Sequence, residues 1–302
     1  MLNRLKNPSQ ATGRQETMDL KHRIRKAFSA DTYSLDAAIR NVNRLKWGLK
    51  NLPGYFQTVG GTYFDPAARS QLAERRRKLQ VEELLAQLDK QELERIRLRY
   101  EDGRDSIWPK YLDARKWLSR NIDYARRFGW LLAPPQDTLD LGCGAGYFLF
   151  VMRQLGSNVL GLDLEDPVFN DILRVLQIER VPFRIKRREK LPDFGGRKFD
   201  LITAWMICFN DYDRDDAIWG PRDWDYLLND LTEKLTPNGR IVFYFNAQRQ
   251  PGIHSRELWK YFGSRAELLD GRLIIFTRSR LVRTAGSSFL RAPYSKESVA
   301  AA

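Results

Sequence analysis

The chain has 302 residues, 43% of them hydrophobic and 29% charged, and a net charge of +13; this suits one large domain, or one domain with an extension, around a proper core. No run of 18 apolar residues occurs, so no membrane-spanning helix is expected. The polar first residues do not read as a secretory signal, and two cysteines, Cys143 and Cys208, form neither a disulfide framework nor a zinc pattern, which makes a reducing cytoplasm the simplest compartment. The charge is uneven. Residues 1–130 hold 27 Lys/Arg against 16 Asp/Glu, a net of +11, whereas residues 131–302 hold 24 against 22, a net of +2. Such a basic part can meet nucleic acid, an anionic membrane surface or a phosphorylated substrate, or it can be a solvated helical surface.

Residues 1–30 read as a polar lead-in. Weak helical periodicity spans 34–52, and the glycines and prolines of 55–66 read as loop. Val81, Leu84, Leu85 and Leu88, extended by Leu93, Ile96 and Tyr100, form the apolar stripe of one long helix that Gly103 can end. Arg75, Arg76, Arg77 and Lys78 then stand near its start, against the helix dipole, which favours a functional use for them. A further helix is expected at 108–128, stopped by Pro134-Pro135. From there strands and helices alternate: strands at 138–141, 158–163, 183–185, 199–205 and 240–246, helices at 147–155, 168–176, 224–235 and 257–262. Two last strands, 266–269 and 272–277, flank the hairpin turn Asp270-Gly271. The pattern is α/β, a Rossmann-like, doubly wound, mostly parallel sheet with an antiparallel C-terminal hairpin strand. The expected organisation is a basic helical extension at 1–105, a catalytic domain at 106–280, and a basic tail at 281–302, disordered at its end.

The chemistry centres on Asp140-Leu141-Gly142-Cys143-Gly144-Ala145-Gly146, which follows a strand and opens a helix. Ligands in such sheets bind outside the carboxyl ends of the strands, and glycines let the backbone approach them closely. The next strand ends in Asp163, placed to accept hydrogen bonds from two ribose hydroxyls. A dinucleotide site needs Gly-x-Gly-x-x-Gly or Ala, but bulky Tyr147 occupies the third small position. Asp140 would repel a pyrophosphate, whereas it would attract the ammonium of a methionine moiety. The reading is S-adenosylmethionine rather than a dinucleotide. Cys143 and Cys208 read as small packing residues.

This motif with Asp163, followed by Leu191-Pro192, Phe199-Asp200-Leu201-Ile202 and Leu235-Thr236-Pro237-Asn238-Gly239-Arg240, resembles the class I S-adenosylmethionine-dependent methyltransferases over about 140 residues. The resemblance implies that Gly142, Gly144 and Gly146 line the cofactor, with Asp140 near its amino group and Asp163 on its ribose. It also implies that residues 186–192 pass the adenine. Many relatives carry an acidic residue where this chain has Arg187, so Glu189 or a backbone group is expected to serve the adenine amino group instead.

The Asn/Asp-Pro-Pro-aromatic run of amino-group methyltransferases is absent after 199–205. The stretch 210–224 instead carries Asp211, Asp213, Asp215 and Asp216 with Tyr212, Trp219 and Trp224. This suits a hydroxyl-rich acceptor such as a sugar, or else a solvated acidic loop with its tryptophans packed on the sheet. Without His or Glu nearby, a metal is not expected there. His254, the only histidine of the catalytic part, is a candidate base for a hydroxyl proton, with Asp211 and Asp213 as competitors. The expected function is methyl transfer to a small-molecule or glycan acceptor. The alternatives are an RNA methyltransferase using the basic N-terminal part, with nucleic acid as partner, and a cofactor-binding protein without enzymatic activity. Peripheral membrane contact through the basic part is a further partner reading.

Overall fold

The computed structural model describes residues 66–101, 109–131, 133–207, 209, 219–245, 255–270 and 272–285. The expected helix at 34–52, the loop running up to Pro66, Gly103 and the end of the tail lie outside them. The chain divides into two compact units, Met1–Arg69 and Ser70–Ala302; the first is described only at residues 66–69.

Helix α1 (Pro66–Lys78) ends in Arg75-Arg76-Arg77-Lys78. By sequence these cations stand at the start of the next helix. In the structure they occupy a last turn, where positive charge complements the helix dipole. Arg75 also ties elements together, since its Nη1 donates to the carbonyl oxygens of Leu131 at 3.2 Å and Ala133 at 2.7 Å. Lys78 pairs with Glu74. The single long helix expected from Val81 to Tyr100 is two, α2 (Val81–Ala86) and α3 (Lys90–Tyr100), because Asp89 caps the second by accepting from the Glu92 N–H. The expected stripe survives the break. Leu84, Leu88, Ile96 and Tyr100 are all buried. A 3₁₀ turn (Pro109–Leu112) precedes α4 (Ala114–Arg127), and the Asp113 cap separates them.

The strands are β1 (Asp137–Leu141), β2 (Asn158–Asp163), β3 (Arg180–Pro182), β4 (Phe199–Trp205), β5 (Leu235–Tyr244), β6 (Leu268–Asp270) and β7 (Leu273–Thr277). They form one sheet in the order β3-β2-β1-β4-β5-β7-β6, parallel from β3 to β5, with β7 antiparallel to both neighbours. This is the doubly wound order with an antiparallel strand inserted before the last position. Crossovers are α5 (Tyr147–Gln154), α6 (Pro167–Leu176) and α7 (Pro221–Lys234); α8 (Arg256–Arg265) precedes the hairpin and α9 (Arg278–Ala285) follows it. Several expected boundaries move. The third strand pairs at 180–182, not 183–185, because Gly161, Leu162 and Asp163 take Arg180, Val181 and Pro182 as partners. The fifth begins at Leu235 rather than 240, across an irregularity where the register shifts between Phe199 and Leu201. Residues 281–285, expected as the start of the tail, belong to the helix over 278–285, with Leu281 buried.

Both faces of the sheet are covered, as alternation along the strands requires. On one face Leu201 and Val242 share a core with α2–α6; on the other Leu139, Leu141, Ile241 and Phe243 share one with α7, α8 and α9. Leu79, Leu84, Leu88, Ile96 and Tyr100 belong to the first core, with α2 packed on α4 and α3 on α6. Tyr100 Oη donates to Asp171 at 2.9 Å, Arg174 reaches Glu92 at 3.1 Å, and Arg115 pairs with Glu82. These residues all belong to the compact unit Ser70–Ala302. Among the described residues no helix is long and apolar enough to cross a membrane.

Candidate functional site

The C-terminal edge of β1 carries the glycine loop. Gly142 and Cys143 donate to the carbonyl of Leu162 at 2.7 and 3.3 Å, which ties the loop to β2. Gly144 donates to Asp163 Oδ2 at 2.6 Å, while Leu164 donates to Asp163 Oδ1 at 2.7 Å. The loop and the acidic end of β2 are thus one hydrogen-bonded unit, with each carboxylate oxygen holding one backbone N–H. Gly142, Gly144 and Gly146 all have positive φ. Two of them differ in what surrounds them. A Cβ on Gly146 would stand 2.5 Å from Leu173 Cδ2, so that a side chain there must displace the end of a buried leucine; a Cβ on Gly144 would meet only Phe169 Cζ, at 3.8 Å. The Gly144 face is open.

Asp140 is buried and accepts from the Thr203 hydroxyl at 2.7 Å. Burial pushes its carboxyl well above the usual carboxylate range and Asp163 adds to this, while the Thr203 hydrogen bond opposes it. Burial likewise raises Asp163, against the hydrogen bonds from Gly144 and Leu164. A buried acid of this kind binds its proton more tightly folded than unfolded. Its contribution to stability is therefore present at low pH and is lost as pH rises from the ordinary carboxylate value of ~3.9 through the raised one. Without ligand, the protein is expected to lose stability over that rise, and Asp140→Asn to lose part of the slope. Denaturant melts at stepped pH check this; equal slopes in the two proteins would contradict it. Cys143 is buried and its thiol is pushed up by burial, in keeping with a packing residue.

The loop after β3 is held by α7. Arg188 Nε donates to Asp223 Oδ1 at 2.7 Å, Arg187 stands 3.5 Å from the same carboxylate, and Leu191 N–H donates to Asp230 Oδ2 at 2.9 Å. Glu189 is paired with Lys186 at 3.3 Å. The tryptophans expected beside the acidic stretch are core residues. Trp219 and Trp224 are buried among Phe209, Phe243, Phe245 and Phe262, which decides between the two readings of these side chains in favour of packing. His254, Asp211, Asp213 and Cys208 lie outside the described residues.

At the C-terminal ends of β4 and β5 the structure gathers residues that sequence reasoning did not single out. Trp205 pairs with Tyr244 across the strands and stacks on Tyr124 of α4, the ring centroids 4.6 Å apart. Met206 follows with φ 57°, a conformation costly for a side chain of its kind. Arg120 reaches Met206 from α4. The spacing Trp117, Arg120, Tyr124 marks one helix face and was a legible signal; Thr203 and Asp223, which act across elements, left none.

A glycine loop between a central strand and a helix, tied to an acidic second strand in a sheet of this order, defines the Rossmann-like methyltransferase class. The methyltransferase domain family matches residues 110–283, more than half of the chain, and the chain belongs to that family, whose relatives in the class I resemblance use S-adenosylmethionine. Comparison with curated proteins gives no match. Among solved structures it is similar to the CcbJ methyltransferase of Streptomyces caelestis (20% identity, 39% of this chain and 46% of that one, TM-score 0.31). It is also similar to CalS10, an amino pentose methyltransferase of Micromonospora echinaspora involved in calicheamicin biosynthesis (20%, 44% and 52%, TM-score 0.32). A third is a TehB-like methyltransferase of Corynebacterium glutamicum (18%, 53% and 98%, TM-score 0.34). The chain spans about half the length of the first solved structures it matches, and at these TM-scores the likenesses carry no argument about function.

Proposed function

We propose that the protein transfers a methyl group from S-adenosylmethionine to a small polar acceptor, a hydroxyl of a sugar or other metabolite. One observation carries the reading: the open face of Gly144 lies in a loop bonded to Asp163 and preceded by buried Asp140. These residues fit the cofactor. The Gly144 face leaves room that a Cβ would fill. Each Asp163 oxygen accepts one backbone N–H and keeps a lone pair for a ribose hydroxyl. Asp140 is a buried carboxyl with a hydroxyl for a partner, a place where an ammonium is favoured. Gly142 and Gly146 shape the turn, and residues 186–192, pinned by Asp223 and Asp230, flank the adenine position, with Glu189 its nearest acidic candidate in sequence. The sulfonium, when bound, supplies an already activated methyl group. The chain's own part is to align the acceptor with it and to exclude water. His254 is proposed as the base that takes a hydroxyl proton, with Asp211 and Asp213 as the competing candidates.

Calorimetry is expected to show heat with S-adenosylmethionine and none with NAD; binding of NAD alone would overturn the assignment. On a hydroxyl acceptor, His254→Ala should cut turnover about a hundredfold with cofactor affinity unchanged. If Asp211→Ala or Asp213→Ala does so instead, the base belongs to the acidic stretch. The RNA reading is weakened by Arg75 and Lys78, whose partners are internal.

A further inference from the structure

Among the described residues, the edge where β4 and β5 end is rich in hydrogen-bond donors and poor in acceptors. Arg120 is half-buried. Its Nε donates to Tyr124 Oη at 3.0 Å, its Cζ lies 5.2 and 5.7 Å from the ring centroids of Trp117 and Tyr124, and its Nη2 stands 2.7 Å from Met206 Sδ. Arg272, just before β7, repeats the arrangement on Tyr244. Its Cζ is 4.9 Å from that ring and its Nη2 donates to Tyr244 Oη at 2.9 Å. The two tyrosine rings are 6.1 Å apart, and Trp205 lies against both. Neither arginine pairs with a carboxylate among the described residues, whereas Arg99, Arg115, Arg174, Arg197 and Arg265 all do.

Each guanidinium has five N–H donors and no acceptor, and a thioether sulfur is a weak acceptor. Each tyrosine oxygen already accepts from an arginine, so its own hydrogen remains to be donated. Among the described residues the Trp205 Nε1 is buried without a partner, a state that calls for an explanation in a folded protein. Two half-buried cations and two hydroxyl hydrogens thus meet around flat aromatic walls, with the Trp205 ring packed against both tyrosines. The chemistry that satisfies such a set is an anion with several oxygens, and the planar guanidinium fork suits phosphate and carboxylate in particular.

We propose that Arg120 and Arg272 form the recognition site for an anionic group, phosphate or carboxylate, on the methyl acceptor. The proposal rests on the methyltransferase reading, because it is in such sheets that ligands gather at this edge. It narrows the acceptor from a polar metabolite to an acidic one. The strained backbone of Met206 fits a role in keeping the Arg120 fork in place.

The test uses the full chain at constant ionic strength, followed by tryptophan fluorescence, since Trp117 and Trp205 adjoin Arg120 and Tyr124. Inorganic phosphate, acetate, methyl glucoside and a short single-stranded RNA are titrated separately. A saturable change is expected with phosphate or acetate and none with methyl glucoside; whichever anion binds names the group. Arg120→Met should weaken that binding at least tenfold, Arg120→Lys should keep part of it, and Arg272→Met should weaken it too, which covers a folding defect in either single variant. The proposal is overturned if neither small anion binds the wild type, if both methionine variants bind it unchanged, or if only the RNA binds through Arg120. Calorimetry of the wild type with S-adenosylmethionine is run beside it. Loss of cofactor binding there sinks the methyltransferase reading, whereas intact cofactor binding with no anion effect sinks only the anion site.

Discussion

Gly144→Val is expected to abolish S-adenosylmethionine binding, lowering affinity at least a hundredfold, while the protein still folds. The open space beside Gly144, with only Phe169 within 4 Å of where a Cβ would stand, means that a side chain there clashes with no packed neighbour and fills the space proposed for the cofactor. The cost to the fold is conformational. Gly144 has φ +54°, and an L-residue held there costs ~1–2 kcal/mol, more for a β-branched one. Gly146→Ala should behave in the opposite way. Its Cβ would stand 2.5 Å from Leu173, so the loss should show first in stability. Calorimetry for affinity and thermal melts for folding separate the two; a Gly144→Val protein that binds the cofactor normally would remove the loop from the site.

A chain beginning at Asp105 should fold poorly or not at all. The sequence alone suggests that such a truncation would spare the catalytic domain. In the structure Leu79, Leu84, Leu88, Ile96 and Tyr100 are sunk in the same core as α4, α5 and α6, and each such buried side chain contributes ~1.5–3 kcal/mol. Removing them strips that core of its cover on one side, and a loss of a few kcal/mol lowers the melting temperature of a domain this size by ~10 °C or more. Arg75 also leaves, and with it the donor to the Leu131 and Ala133 carbonyls just before β1. A chain beginning at Ser70 keeps all of these groups and should melt well above the shorter one. Equal melting temperatures would contradict the assignment of α2 and α3 to the core.

The alternation of strands and helices from residue 137 onward was legible in the chain, because period-two and period-3.6 apolar patterns are set locally. So was the glycine loop. Its residues are contiguous, and a run with three glycines between a strand and a helix has few structural uses. Asp163 was legible for the same reason, at the end of the next strand. What the sequence could not decide is whatever joins distant residues. The break at Asp89 and the end of α1 at Lys78 reversed the meaning of Arg75–Lys78, from cations opposed to a helix dipole to cations favoured by it. Trp219 and Trp224 read equally well as acceptor walls or as core until the sheet placed them beside Phe243 and Phe245. Whether Glu189 was free to turn to a ligand depended on Lys186 beside it and on Asp223 and Asp230 of α7, which take the loop's other groups. The gathering of Arg120, Trp205, Tyr244 and Arg272 needs α4, two parallel strands and the start of β7 to meet at one edge. Residue type and spacing were enough to single out the proposed cofactor site, since it is built mostly from one strand, one turn and the next strand's end. The proposed acceptor side draws on residues as far apart as Arg120 and Arg272, and only the assembled sheet with α4 packed on it brings them together.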